Sequence, residues 1–193
     1  CLLIAFSVVF TTSCDKDDNT PPETDNNGDN NGDNNGDNNG DNNGDNNGNE
    51  TENCPQTVDY EGYTYQTVEI GEQCWFAENL RYLPEVFPPT NGSDTEIRYY
   101  VSGFSYTSVE DAKAHQNYAN YGVLYNWSAA QSACPDGWKL PSDSDWTTLT
   151  DFLGGYTTAG GKLKQAGTEF WNTPNTDATN ETGFNALPGG RRS

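Results

Sequence analysis

Five cysteines and one histidine are the most reactive side chains in this chain: Cys1, Cys14, Cys54, Cys74, Cys134 and His115. No Cys/His set among them has the spacing of a zinc site. A cysteine nucleophile needs a neighbouring base, and His115 is remote in sequence from every cysteine, so a reactive thiol is the weaker reading of Cys54, Cys74 and Cys134. His115 lies in a polar stretch and reads as a surface residue rather than a base or metal ligand. No nucleophile elbow, phosphate loop or dinucleotide fingerprint is present. Asp143 and Asp145 form a carboxylate pair that reads as charge at a helix N-terminus. No catalytic residue, metal or cofactor is therefore assigned.

The best candidate for ligand chemistry is the segment from Trp171 to Glu181. Trp171 stands beside Asn172, Asn175, Asp177, Asn180 and Glu181, one aromatic with five side chains that carry carbonyl or carboxylate oxygens. Sugars are bound by such sets, through stacking and hydrogen bonds, and calcium uses the same oxygens. The competing reading is a polar loop packed by its own hydrogen bonds.

The rest of the chain must place that segment. Leu2 to Phe10 is an apolar run interrupted by Ser7. A bilayer span takes about 20 residues, so this run has the length of a signal-peptide core instead. Thr11-Thr12-Ser13-Cys14 follows and is similar to the lipobox of bacterial lipoproteins, with Thr11 where an aliphatic residue is usual. That likeness implies cleavage before Cys14 and a diacylglycerol on its sulfur. Asp15-Lys16-Asp17-Asp18 resembles the signal that sends Bacteroidetes lipoproteins to the outer face of the outer membrane. Residues 1–13 are thus expected to be an incomplete signal peptide, and the protein a surface-exposed outer-membrane lipoprotein held to the membrane by its lipid.

Residues 25–48 are six copies of Asp-Asn-Asn-Gly. Nothing in them is apolar enough to offset the entropy of ordering, and the spacing differs from that of calcium-binding repeats. Residues 14–53 are expected to be the lipidated cysteine and a disordered acidic tether. As a free coil its end-to-end distance would be roughly 35 Å. The formal charge of −20 is shared by the tether and by residues 54–193, so nucleic acid is excluded as a partner by repulsion from phosphate.

From Cys54 on, β-rich runs around Glu61-Gly62 read as a hairpin, and Gln73–Ala77 as a third strand. Val109–Asn117 reads as a short helix. Leu124–Ala133 reads as another, with Trp127 and Ala130 toward the core. Ser142 caps a further helix, with Asp145 completing a capping box and Trp146, Leu149, Phe152 and Leu153 as its buried stripe. Gly154-Gly155 ends it. A helix pair between β segments suggests an α+β domain.

Several of these segments carry a resemblance. Gly71-Glu72-Gln73-Cys74-Trp75-Phe76-Ala77-Glu78-Asn79-Leu80 and Tyr121-Gly122-Val123-Leu124-Tyr125-Asn126-Trp127 are similar to signatures of the Fibrobacter succinogenes major paralogous domain. So are Ala133 to Ser142 and Thr179 to Phe184, and the likeness runs from about residue 57 to the end. It implies a fold like that of C-type lectins and formylglycine-generating enzymes, mostly on secreted or surface proteins. It also implies a Cys54–Cys74 disulfide on an N-terminal hairpin, and leaves Cys134 to a partner in the family's closing strands. Those strands are missing, so residues 54–193 are expected to be a C-terminally truncated domain. The calcium motifs of lectins, Glu-Pro-Asn and Gln-Pro-Asp, are not in the sequence, and formylglycine-generating activity is not carried over. The expected function is a glycan- or protein-binding module, with a structural surface protein as the alternative and an enzyme of the formylglycine-generating type as the weakest.

Lipidation is directly testable. Mass spectrometry of membrane-extracted protein should show a diacylglyceryl adduct on Cys14; an unmodified Cys14 in a soluble secreted product would end that reading.

Overall fold

A computed structural model describes residues 15–16 and 54–191. In chain order these form β1 (Asp15–Lys16), β2 (Thr57–Tyr60), β3 (Tyr63–Ile70), β4 (Gln73–Phe76), β5 (Tyr99–Tyr100), α1 (Val109–Ala114), α2 (Gln116–Tyr121), β6 (Leu124–Tyr125), α3 (Trp127–Ala130), β7 (Trp138–Lys139), α4 (Asp143–Phe152) and α5 (Tyr156–Leu163). The domain mixes helix and sheet, in keeping with the α+β expectation.

Two tight turns build the first three-stranded unit. Glu61 and Gly62, at φ 50° and 78°, reverse the chain so that Tyr60 pairs with Tyr63. Positive φ at both central residues matches the right-handed twist of a two-residue hairpin. Gly71-Glu72 makes the second reversal, pairing Ile70 with Gln73. The Cys54–Cys74 disulfide, with Cα atoms 5.4 Å apart, ties the start of this unit to its last strand, as the resemblance implied.

The larger sheet has the order β2-β3-β4-β1-β7. Asp15, in β1, pairs antiparallel with Trp75 of β4 and with Lys139 of β7. Residues 15–53 were expected to be tether throughout, yet their first two residues are a strand. The rest of that segment, Cys14 and the signal region 1–13 lie outside the described residues.

Side chains alternate across a strand, and β4 turns this into two cores. Phe76 enters one core with Tyr65, Leu80, Val101, Val123, Tyr125 and Ala129. Trp75, with 0% exposure, enters the other with Ile70, Leu149, Leu153, Ala159 and Phe184. Between Ala77 and Arg98 the chain has no helix or strand. Its backbone is satisfied by inserted polar groups: Tyr65 accepts from the Arg81 N–H at 2.9 Å, Tyr118 donates to Arg81 O at 2.9 Å, and Tyr125 donates to Tyr82 O at 2.8 Å. Asn126 holds the far end with four bonds, donating to Ser93 O and Glu96 O and accepting from the N–H groups of Arg98 and Ala129.

Several expectations change. Leu124–Ala133 is not one helix but β6 followed by α3, because Asn126, with ψ 171°, leaves the helical region and caps Ala129. Trp127 then sits on the first turn at 58% exposure rather than in the core, while Ala130 is buried as expected. The Val109–Asn117 helix becomes two, divided at His115, whose Nδ1 accepts from the Asn117 N–H. In α4 the capping box of Ser142 and Asp145 forms as read. Phe152, however, is 64% exposed and leaves the expected stripe. Helix α5 was not anticipated; its Gly160-Gly161 pair masks it, since glycine costs about 1 kcal/mol in a helix interior.

Gly122 has φ +68°, and a Cβ there would lie 2.6 Å from Leu80 O. That carbonyl accepts the Val123 N–H. Gly122→Ala should therefore cost at least about 2 kcal/mol, from backbone strain and lost packing of the 77–83 segment. Gly137 has positive φ with nothing within 4 Å, so Gly137→Ala should cost only about 1 kcal/mol. Chemical denaturation of both variants checks the difference.

Candidate functional site

Helix α5 and the chain that follows it build the candidate site. Gly161 permits close approach: a Cβ there would stand 2.4 Å from Asp177 O. The Thr179 N–H donates to Gly161 O at 2.9 Å, and the Thr182 hydroxyl to Lys162 O at 3.1 Å. Lys164 Nζ donates to Thr176 O at 2.9 Å. A parallel bridge joins Lys164 and Ala186, with Gln165 N–H donating to Ala186 O and Ala186 N–H to Leu163 O. Phe184 seats the end of the segment in the core, edge-on to Trp75 at 5.9 Å. Residues 176–186 are therefore pinned to α5 and to the two residues that follow it.

The six candidate residues divide by what they do in this scaffold. Trp171 is half-buried; its indole N–H donates to Ala186 O at 3.0 Å, and the Lys164 ammonium lies 5.6 Å from its ring centroid. Asn175 donates twice, to Gln165 O and Gly167 O, and its Oδ1 is buried with no hydrogen-bond partner. Asn180 Oδ1 accepts from the Asn185 N–H at 2.8 Å. Glu181 pairs with Lys162 at 3.0 Å on the surface. Asn172 and Asp177 are exposed, and Asp177 is held at φ 59°. One segment thus carries all six, but four of them have polar groups engaged in holding the loop.

Other chemistry-bearing residues are accounted for structurally. His115 caps α2 and its ring lies 5.8 Å from that of Phe104. Asp145 belongs to the capping box and to an ion pair with Lys139 at 3.3 Å. Its partial burial works to raise its pKa, but the hydrogen bonds from Ser142 and the charge of Lys139 outweigh that and hold the carboxyl below its ordinary value. Burial, reinforced by neighbouring Tyr82, pushes the Tyr60 hydroxyl up to about 12, and burial also raises Tyr65 and Tyr125. These phenols keep their protons near neutral pH. Cys134 is disulfide-bonded within the chain, which corrects the expectation of a partner in missing closing strands: with Cys54 and Cys74 joined to each other, the remaining cysteines are Cys1 and Cys14, both outside the described residues. Among the described residues no group of three or more His, Cys, Asp or Glu is arranged to hold a metal ion, and no helix is long and apolar enough to cross a membrane.

The sequence signal that located the loop was its composition. The partners that hold it, on α5 and at Ala186, were not foreseen.

In comparison with known proteins, residues 68–193 match the family described as the Fibrobacter succinogenes major domain. Neither the curated proteins nor the solved structures yield a match.

The geometry makes Trp171 a loop anchor. Trp171→Ala should lower stability by roughly 2 kcal/mol through lost packing and the lost indole bond. Trp171→Phe, which keeps a ring, should lose about 1 kcal/mol. Equilibrium urea denaturation with unchanged m-values checks both.

Proposed function

The chain belongs to the Fibrobacter succinogenes major domain family, and from that premise we propose a cell-surface lipoprotein whose folded part is an extracellular binding or adhesion module for a glycan or a protein. It binds rather than catalyses. Its fold is of the C-type-lectin-like kind, its membrane attachment is the lipid on Cys14 at the outer face of the outer membrane, and its acidity excludes nucleic acid.

The observation that carries the reading is the pinning of residues 176–186 to α5 and the two residues that follow it. A loop ordered before it meets a ligand spares the ordering cost of association. Of the six candidates Asn172, Asp177 and Glu181 are exposed, and Glu181 is engaged with Lys162; Asn172 and Asp177 present an amide and a carboxylate, the groups that hydrogen-bond sugar hydroxyls or peptide amides. Trp171 supports the loop through its indole bond to Ala186 O instead of offering a free stacking face.

A second reading is favoured by the same bonds. The internal engagement of Trp171, Asn175, Asn180 and Glu181 is also what a surface protein without a specific ligand would need to keep a polar loop in one shape.

A glycan array probed with the purified full chain, alongside a capture experiment on host and bacterial surface proteins, separates the two. Binding is expected, and the double variant Asn172→Ala/Asp177→Ala should weaken it at least about tenfold, or 1.4 kcal/mol, with unchanged thermal stability. No ligand in either format favours the structural reading, binding that ignores the double variant moves the site elsewhere, and substrate turnover would reject the binding-only account.

A further inference from the structure

Four of the five tryptophans are committed to packing. Trp75 lies in the second core at 0% exposure, Trp146 packs against that core and Trp138 against the first, and the Trp171 indole is bonded to Ala186 O. Trp127 is 58% exposed. Its backbone is nonetheless firmly held. Asn126, the residue before it, makes four side-chain bonds, and the hydroxyl of Ser128, the residue after it, donates to Thr95 O at 3.1 Å. A tryptophan side chain has only two torsions, so a ring carried on such a clamp offers a large contact area at little entropic cost.

The same clamp sets the neighbours of Trp127. Tyr99 pairs with Tyr125, and the Asn126 N–H donates to Arg98 O at 3.2 Å, so the register carried one residue further puts Ile97 across from Trp127. Ile97 is 44% exposed. The Glu96 N–H donates to Ser93 Oγ at 2.8 Å, and its carboxylate pairs with Arg98, whose guanidinium lies 4.4 Å from the centre of the Phe87 ring. The Glu96 side chain is 67% exposed and that of Arg98 15%, so the carboxylate meets solvent with its cation set behind it. An aromatic face, an aliphatic neighbour and a positioned carboxylate suit a sugar ring, which has an apolar C–H face and hydroxyls that donate. Two apolar side chains fall well short of the apolar centre of a protein interface, which takes about 800 Å² from each partner. The exposed charged groups here, Asp94 and Glu96, are acidic, and Arg98 is already paired. Anionic ligands are therefore repelled and a neutral sugar is not.

We propose that Trp127, Ile97 and Glu96 form a carbohydrate-binding site, distinct from the 171–186 loop, that takes a neutral sugar ring. Trp127 and Ile97 meet its C–H face, and Glu96 accepts from its hydroxyls. The proposal rests on the reading of the domain as a binding module and does not depend on Asn172 or Asp177.

Calorimetric titration of the full chain with cellohexaose, xylohexaose and mannohexaose, and with hexagalacturonate as the acidic comparison, tests this. At least one neutral oligosaccharide should bind, and hexagalacturonate should bind more weakly. Trp127→Ala should weaken that binding at least about tenfold, Trp127→Phe and Glu96→Gln by less, and Asn172→Ala/Asp177→Ala should leave it unchanged. Binding lost in the Asn172/Asp177 variant and kept in Trp127→Ala overturns the proposal and leaves the glycan reading with the loop. Tighter binding of hexagalacturonate overturns it too. If no neutral oligosaccharide binds, the proposal fails, and the module reading then stands or falls on the capture of a protein. Should Trp127→Ala unfold, NMR of the unsubstituted chain still decides: the Trp127 indole N–H resonance should shift as the oligosaccharide is added, and a resonance that stays in place while binding occurs rejects the site.

Discussion

The fold depends on one short strand having to serve two cores. Trp75 and Phe76 are consecutive and both buried, so the pleat of β4 sends one ring to each side of the sheet. Everything downstream is arranged to cover those rings. The tyrosine-rich segment and the 121–130 region close over Phe76, while α4, α5 and Phe184 close over Trp75. The disulfide at Cys74 and the pairing of Trp75 with Asp15 fix the strand at the same two positions. A burial of this kind offers most of its stabilisation through apolar area, about 25 cal/mol per Å², and the large rings supply that area in a domain with little regular structure.

The first core shows how irregular chain is made tolerable. A buried segment with no ladder must find partners for each backbone group, and here tyrosine hydroxyls and amide side chains provide them. Tyr65, Tyr118, Tyr125 and Asn126 each carry an apolar or compact body with a polar tip, which fills volume and satisfies backbone together. Gly122 allows the chain at 121–123 to approach Leu80. The second core uses regular elements, and its outer surface carries the ordered 171–186 loop. The candidate binding surface is therefore the far end of a chain of contacts that begins at Trp75 and passes through Phe184.

The parts legible in the sequence were those with local signals. Both hairpins follow from two-residue turns, α4 from its capping box and double glycine, and the Cys54–Cys74 bond from the resemblance carried by Gly71 to Leu80. Where long-range partners decide, the reading failed. Asn126 looks like a helix residue until its four bonds to the 93–98 loop and Ala129 are seen. Phe152 and Trp127 have the period of core positions yet stand 64% and 58% exposed, and the Phe152 ring lies beside the Gly71 turn instead of in the core. Helix α5 was hidden by its glycines, and with it the reason that Trp171, Asn175 and Asn180 are occupied inside the loop. A two-residue strand of Asp and Lys has no pattern at all, so β1 was invisible beside the acidic run.

The central claim is that residues 171–186 are held in one shape by α5 and the Trp75 core before any ligand arrives. Nitrogen-15 relaxation of the full chain measures this directly. The account predicts backbone order parameters across 171–186 near those of β4, about 0.85. Values below about 0.6 across the loop, with β4 rigid, would show a segment that is not preorganised and would contradict the account.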